Sequence, residues 1–113
     1  MRTNRRRKTN RPRKTRLDRL VKEAIVDCYN ESEQVAGLYT MIEDNLALPF
    51  ETMNLGVPVT VVRIDLTPRD EIVAVCRRAG VRQTVPILDL TLPSRWRVGV
   101  EWIDAYRYWS HGR

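Results

Sequence analysis

Histidine, cysteine and glycine are scarce in this 113-residue chain, and each shortage removes a class of chemistry. His111 is the single histidine, close to the end, with no serine or cysteine partner at a suggestive spacing. Acid–base or nucleophilic catalysis built on histidine is therefore not indicated. Cys28 and Cys76 stand 48 positions apart and fit no metal or redox spacing; each sits in an apolar pattern, as a small buried hydrophobe does. The five glycines form no phosphate-binding loop, and no Asp-x-Asp-x-Asp-Gly run exists, so the EF-hand pattern is absent. No apolar stretch approaches the roughly 20 residues of a membrane span, and the start lacks the apolar core of a secretory signal. The default expectation is a cytoplasmic, non-enzymatic protein.

Acidic residues are missing from the first sixteen positions, which hold nine Lys or Arg and no apolar residue after Met1. Residues 1–16 are expected to form a disordered basic tail and residues 17–113 one small domain. Outside the tail there are eleven basic and fourteen acidic residues, so the pI near 9.9 describes the tail rather than the domain. Leu17 to Glu51 carries eight acids and two bases. Arg5, Arg6, Arg7, Lys8, Arg11, Arg13 and Lys14 form a candidate nucleic-acid or anionic-surface contact, through phosphate neutralisation and counterion release. No aromatic residue lies among them to stack on bases. A solubilising appendage would have the same composition.

The domain opens with helical periodicity. Leu17, Leu20, Val21, Ala24, Ile25 and Cys28 form one apolar stripe, so a helix is expected from Thr15 or Leu17, with Asp18 in its first turn. Asn30 followed by Glu33 has capping-box spacing and predicts a second helix, or a bend in the first. Val35, Leu38, Tyr39, Ile42 and Leu46 supply its buried face, and Gly37 implies close packing. After Pro49 the pattern becomes extended. Strands are expected over 57–66, 72–76 and 81–90, with turns at Thr67-Pro68-Arg69-Asp70 and Ala79-Gly80, and Pro86 marking an edge or bulge. Val98, Trp102, Ala105 and Trp109 predict a closing helix. Trp102, Tyr106, Tyr108 and Trp109 are expected to dock it, with Trp96 less defined. The fold class is α+β: a helix or helix pair on a small antiparallel sheet or partly closed barrel.

The run Ile42-Glu43-Asp44-Asn45-Leu46-Ala47-Leu48-Pro49-Phe50 is the most informative segment. It puts Glu43, Asp44 and Asn45 at a helix C-terminus, where partial negative charge and unpaired carbonyls favour cations. Ca²⁺ takes six to eight oxygens and would turn that penalty into attraction. Asn45 also tolerates the left-handed backbone that often follows a helix. Glu51, past the turn at Pro49, could return toward the same place. Four or five protein ligands plus water imply a weak site, on the order of 10⁻⁵–10⁻³ M. A second acidic group, Glu23, Asp27 and Glu31, shares one helix face if the helix is unbroken. Both groups have a plainer reading, a solvated helix end and a solvent-facing stripe.

The order of these pieces resembles the CcbP-like family of small calcium-binding proteins of cyanobacteria and other bacteria. The matching stretches are 25–31, Gly37-Leu38-Tyr39, 42–50, 84–90 and 103–109, spanning roughly 20–112. The Glu-Asp-Asn-Leu…Pro-Phe block is the most specific. The resemblance implies a helix-plus-barrel domain of SH3-like type that binds Ca²⁺ through carboxylates without an EF-hand. The Arg-rich start and the three arginines between Arg77 and Arg82 depart from that pattern. The alternative reading is a nucleic-acid-associated accessory protein, tethered by its tail, with the metal site lost.

Overall fold

The computed structural model describes residues 14–92 and 98–112. Most of the basic start, the Pro93-Ser94 break and Trp96 lie outside the described residues. Helix α1, Lys14–Ala24, starts one residue before the expected Thr15, so Lys14, Thr15 and Arg16 of the expected tail are helical and Asp18 falls in the second turn rather than the first. Leu20 and Ala24 are buried, and Val21 and Ile25 pack against the core beside them.

Helix α2, Glu31–Asn45, is a separate helix, as the capping box predicts. Asn30 Oδ1 accepts from Glu33 N–H at 2.8 Å. Glu33 Oε1 reaches back to the N–H of Tyr29 at 2.6 Å, one residue earlier than the motif prescribes. Gly37 lies against the end of α1: a Cβ there would overlap the Ala24 carbonyl oxygen. The close packing inferred from sequence is a helix–helix crossing.

Four antiparallel strands follow in the order β1 Phe50–Asn54, β2 Val57–Leu66, β3 Ile72–Arg78 and β4 Val81–Pro86. Strand β1 is the extended segment expected after Pro49; the sequence does not mark its bounds, because five residues of mixed type carry no β-branched run. The expected strand 81–90 is shorter: it ends at Pro86, and Ile87–Asp89 form a 3₁₀ turn. Pro86 closes an edge strand, where a missing N–H costs no ladder bond. Thr67 caps the β2–β3 turn: its N–H donates to the Glu71 carbonyl, and its carbonyl accepts from Asp70. Pro68 holds the first central position, as predicted.

The sheet is open; among the described residues β1 and β4 do not pair. Thr91 returns to β1 through a single bridge to Met53, and the buried Thr52 hydroxyl donates to the Thr91 carbonyl.

Helix α3, Val100–His111, closes the domain. Val98 precedes it and is 67% exposed, so it does not belong to the helical stripe. Trp102, Ile103, Ala105 and Tyr106 are buried. The aromatic residues dock the helix, as expected. Tyr108 Oη donates to Asp18 at 2.6 Å, and Trp109 Nε1 donates to Gln34 at 3.0 Å, tying α3 to α1 and α2. The Asp18 bond pushes the Tyr108 phenol above its ordinary pKa. The core, with Leu38, Ile42, Val61, Ile64, Ile72, Ile87 and Ile103 at its centre, lies between the helices and one face of the sheet. Cys76 is fully buried there as a small hydrophobe; Cys28 is half-buried, and both are free thiols.

Candidate metal centre

The site is built on the last turn of α2. The helix stops because its C-cap, Leu46, adopts an extended backbone (φ −76°, ψ 125°) and donates its N–H to the Ile42 carbonyl at 2.8 Å. The left-handed residue expected at Asn45 is not there: the chain leaves straight into an extended path toward β1, through a cis Leu48-Pro49 bond. Ala47 donates its N–H to the Val98 carbonyl at 3.1 Å, which takes away the usual donor of the Glu43 carbonyl. Pro49 has no N–H to offer the Asn45 carbonyl. Gly99, at φ 91°, lies directly against that carbonyl, where a Cβ would overlap it. Val98 and Gly99 thus pack on the end of α2, and neither brings a charge to it. No basic residue lies in the last turn.

Glu43, Asp44 and Asn45 are all exposed on this end. Glu43 Oε2 accepts from the Tyr39 hydroxyl at 2.8 Å. The same hydroxyl lies 3.2 Å from the Ile64 carbonyl of β2, so one proton is shared between two acceptors. Burial, then the hydrogen bond and charge of Glu43, push the Tyr39 phenol from 10 up to about 12. Asp65 adds to this, while Arg63 opposes it. Those two form an ion pair at 3.0 Å. Asn45 Nδ2 donates to the Met41 carbonyl at 2.8 Å, which leaves its Oδ1 free of that bond. Asp44 has no hydrogen-bond or ion-pair partner among the described residues.

The donor chemistry suits a hard cation: carboxylate, amide and carbonyl oxygens, with no sulfur or imidazole. The number of charged ligands is small. Among the described residues no three acidic, histidine or cysteine side chains gather closely enough to hold a metal ion. Glu51 alternates with the buried Phe50 and Thr52 on β1, opposite Thr60, and so points away from the core face. The acidic stripe of Glu23, Asp27 and Glu31 is broken. Helix α1 ends at Ala24, Asp27 sits in a turn at φ 63°, and Glu31 opens α2. These residues do not share a helix face; the shared face required an unbroken helix. Arg5, Arg6, Arg7, Lys8, Arg11 and Arg13 lie outside the described residues, and Lys14 is exposed at the start of α1.

Sequence reasoning missed Tyr39 as a neighbour of the site, although Tyr39 and Glu43 are four residues apart on one helix and such pairs meet. It also missed the loop Val98-Gly99, whose approach joins positions more than fifty residues apart and leaves no local signal.

Three helices on a four-stranded antiparallel sheet, with an oxygen-rich helix end facing solvent, define a small α+β domain. The chain belongs to the CcbP-type calcium-binding family, whose model, described as calcium binding, matches residues 18–110. Two solved structures share the fold. The crystal structure of Anabaena CcbP superposes with a TM-score of 0.71 at 18% identity, covering 88% of this chain and 92% of that one. A calcium binding protein in its calcium-binding form gives 0.68 at 19% identity, covering 93% and 96%. At these identities the likeness is one of fold. No curated protein matches the chain.

Proposed function

We propose that this protein is a non-enzymatic Ca²⁺ binder, acting as a buffer or sensor, and that it holds the ion at the C-terminal end of α2. One observation supports this placement above the others. Asp44 is an exposed carboxylate, without a partner among the described residues, at the negative pole of a fifteen-residue helix whose last turn has no basic residue. Asp44 is the central ligand, and Glu43 offers its second oxygen while Tyr39 holds the first. Asn45 Oδ1 and the free carbonyls of the last turn complete the protein's share. Water supplies the remainder, which makes a weak site of roughly 10⁻⁵–10⁻³ M. The ion cancels repulsion between neighbouring carboxylates and their opposition to the helix dipole, and so strengthens the junction between α2 and β1. Glu51, Asp27 and Glu31 contribute no ligand in this reading. Membership of a calcium-binding family supports the choice of ion.

Titration calorimetry of the full chain with Ca²⁺ and Mg²⁺ tests the reading. Heat that saturates with Ca²⁺ and is lost in Asp44→Asn is expected. No heat at millimolar Ca²⁺ removes the proposal.

A further inference from the structure

A second unfavourable arrangement lies at one end of the sheet. β1 and β2 turn at Leu55-Gly56, and β3 and β4 turn at Ala79-Gly80. The register, with Thr60 opposite Arg77, puts both turns at the same end. A cleft of about 270 Å³ lies beside them, with Pro58, Thr60, Arg78 and Gly80 in its walls. Both turns carry positive φ at both central residues (Leu55 53°, Gly56 78°; Ala79 51°, Gly80 79°). Such turns favour Asn, Asp or Gly. Leu55 is none of these, and it is 90% exposed. A leucine that strains the backbone and buries almost nothing serves neither the turn nor the core. Val81, next to the other turn, is 66% exposed.

Beside these aliphatic tips stand Arg77, Arg78 and Arg82, all exposed. Arg77 lies directly opposite Arg82, and like charges in that position repel. None of the three has a carboxylate within ion-pair distance among the described residues. Glu51 is on the same row, separated from Arg77 by Thr60.

We propose that this hairpin end is a docking surface for an anionic lipid membrane. Leu55 and Val81 enter the headgroup boundary, and Arg77, Arg78 and Arg82 meet the lipid phosphates. Cationic side chains around exposed aliphatic ones match an interface that is charged outside and apolar beneath. A nucleic acid would satisfy the arginines and leave the aliphatic tips in water. The proposal does not depend on calcium binding.

Vesicle co-sedimentation of the full chain in chelator tests it, with neutral phosphatidylcholine against a mixture containing one quarter phosphatidylglycerol. The basic start of the chain is present in every variant, so differences report the hairpins. Binding to the anionic vesicles alone is expected. Arg77→Gln/Arg78→Gln/Arg82→Gln is expected to weaken it about a hundredfold at low salt, near fivefold for each charge. Leu55→Asn suits the turn and keeps the fold, which thermal melting checks, yet is expected to weaken vesicle binding about tenfold. Unchanged binding by Leu55→Asn overturns the proposal. So does tighter binding to a single-stranded oligonucleotide, by anisotropy, that the arginine variant loses and Leu55→Asn does not.

Discussion

The two ends of α2 were built to opposite standards. At the N-terminus Asn30 caps Glu33, Glu33 reaches back to Tyr29, and two acids in the first turn complement the positive pole. At the C-terminus the acids are repeated where they are unfavourable, with no base in the last turn itself. The same residue type stabilises the fold at one pole and strains it at the other. Folding accounts for the first end completely. It does not account for the second, and that residue of unexplained charge is what a bound cation would explain.

Substitutions separate the two ends. Asp44→Asn has the largest expected effect: Ca²⁺ affinity falls at least about tenfold, because a low-charge site loses one of two carboxylates. Stability without calcium is expected to hold or rise by about 0.3–1 kcal/mol, since a negative charge leaves the negative pole. Chemical denaturation with and without Ca²⁺ checks both signs. Asn30→Ala should do the reverse, costing about 1 kcal/mol of stability through the lost cap while the calcium isotherm stays put. If Asn30→Ala weakened calcium binding as much as Asp44→Asn does, the division between the ends would be wrong.

Tyr39 sharpens the comparison, since it braces the C-terminal pole. Its folded pKa of about 12 lies above the ordinary 10, so the folded state holds the phenolic proton more tightly. Its contribution is complete below pH 10 and fades as pH rises from 10 through 12. Tyrosinate absorbance should show one late-titrating phenol that Tyr39→Phe removes. That variant should lose about 1 kcal/mol of stability near neutral pH, and bind calcium less well because Glu43 is no longer held. The smallest effect is expected from Glu31→Gln at the capped pole, with calcium affinity changed less than about twofold, measured by the same titration.

Much of this architecture was legible in the residues. Periodicity gave both N-terminal helices, the Asn30/Glu33 spacing gave the break between them, and β-branched runs gave β2 and β3. Gly37 was read correctly because a glycine inside a helix needs a neighbour to justify it. Strand β1 was legible only as an extended stretch after Pro49, without bounds: its alternation of Phe50, Thr52 and exposed residues is too short to stand out. The acidic stripe failed because Ala24 ends α1 seven residues before Glu31, at the place where Gly37 of α2 packs against it. The end of α2 was legible in composition but not in geometry. Nothing local announces that Val98 and Gly99 pack on it, or that Tyr39 shares its proton between Glu43 and the Ile64 carbonyl. Long-range approach is the part of a site that spacing does not carry.

Amide NMR of the full chain, titrated with Ca²⁺, tests the central assignment most directly. Binding at the C-terminal pole predicts saturable shifts concentrated at residues 43–47 and at Val98 and Gly99, with residues 27–33 nearly still. Shifts centred on residues 27–33, or none at millimolar calcium, would contradict it.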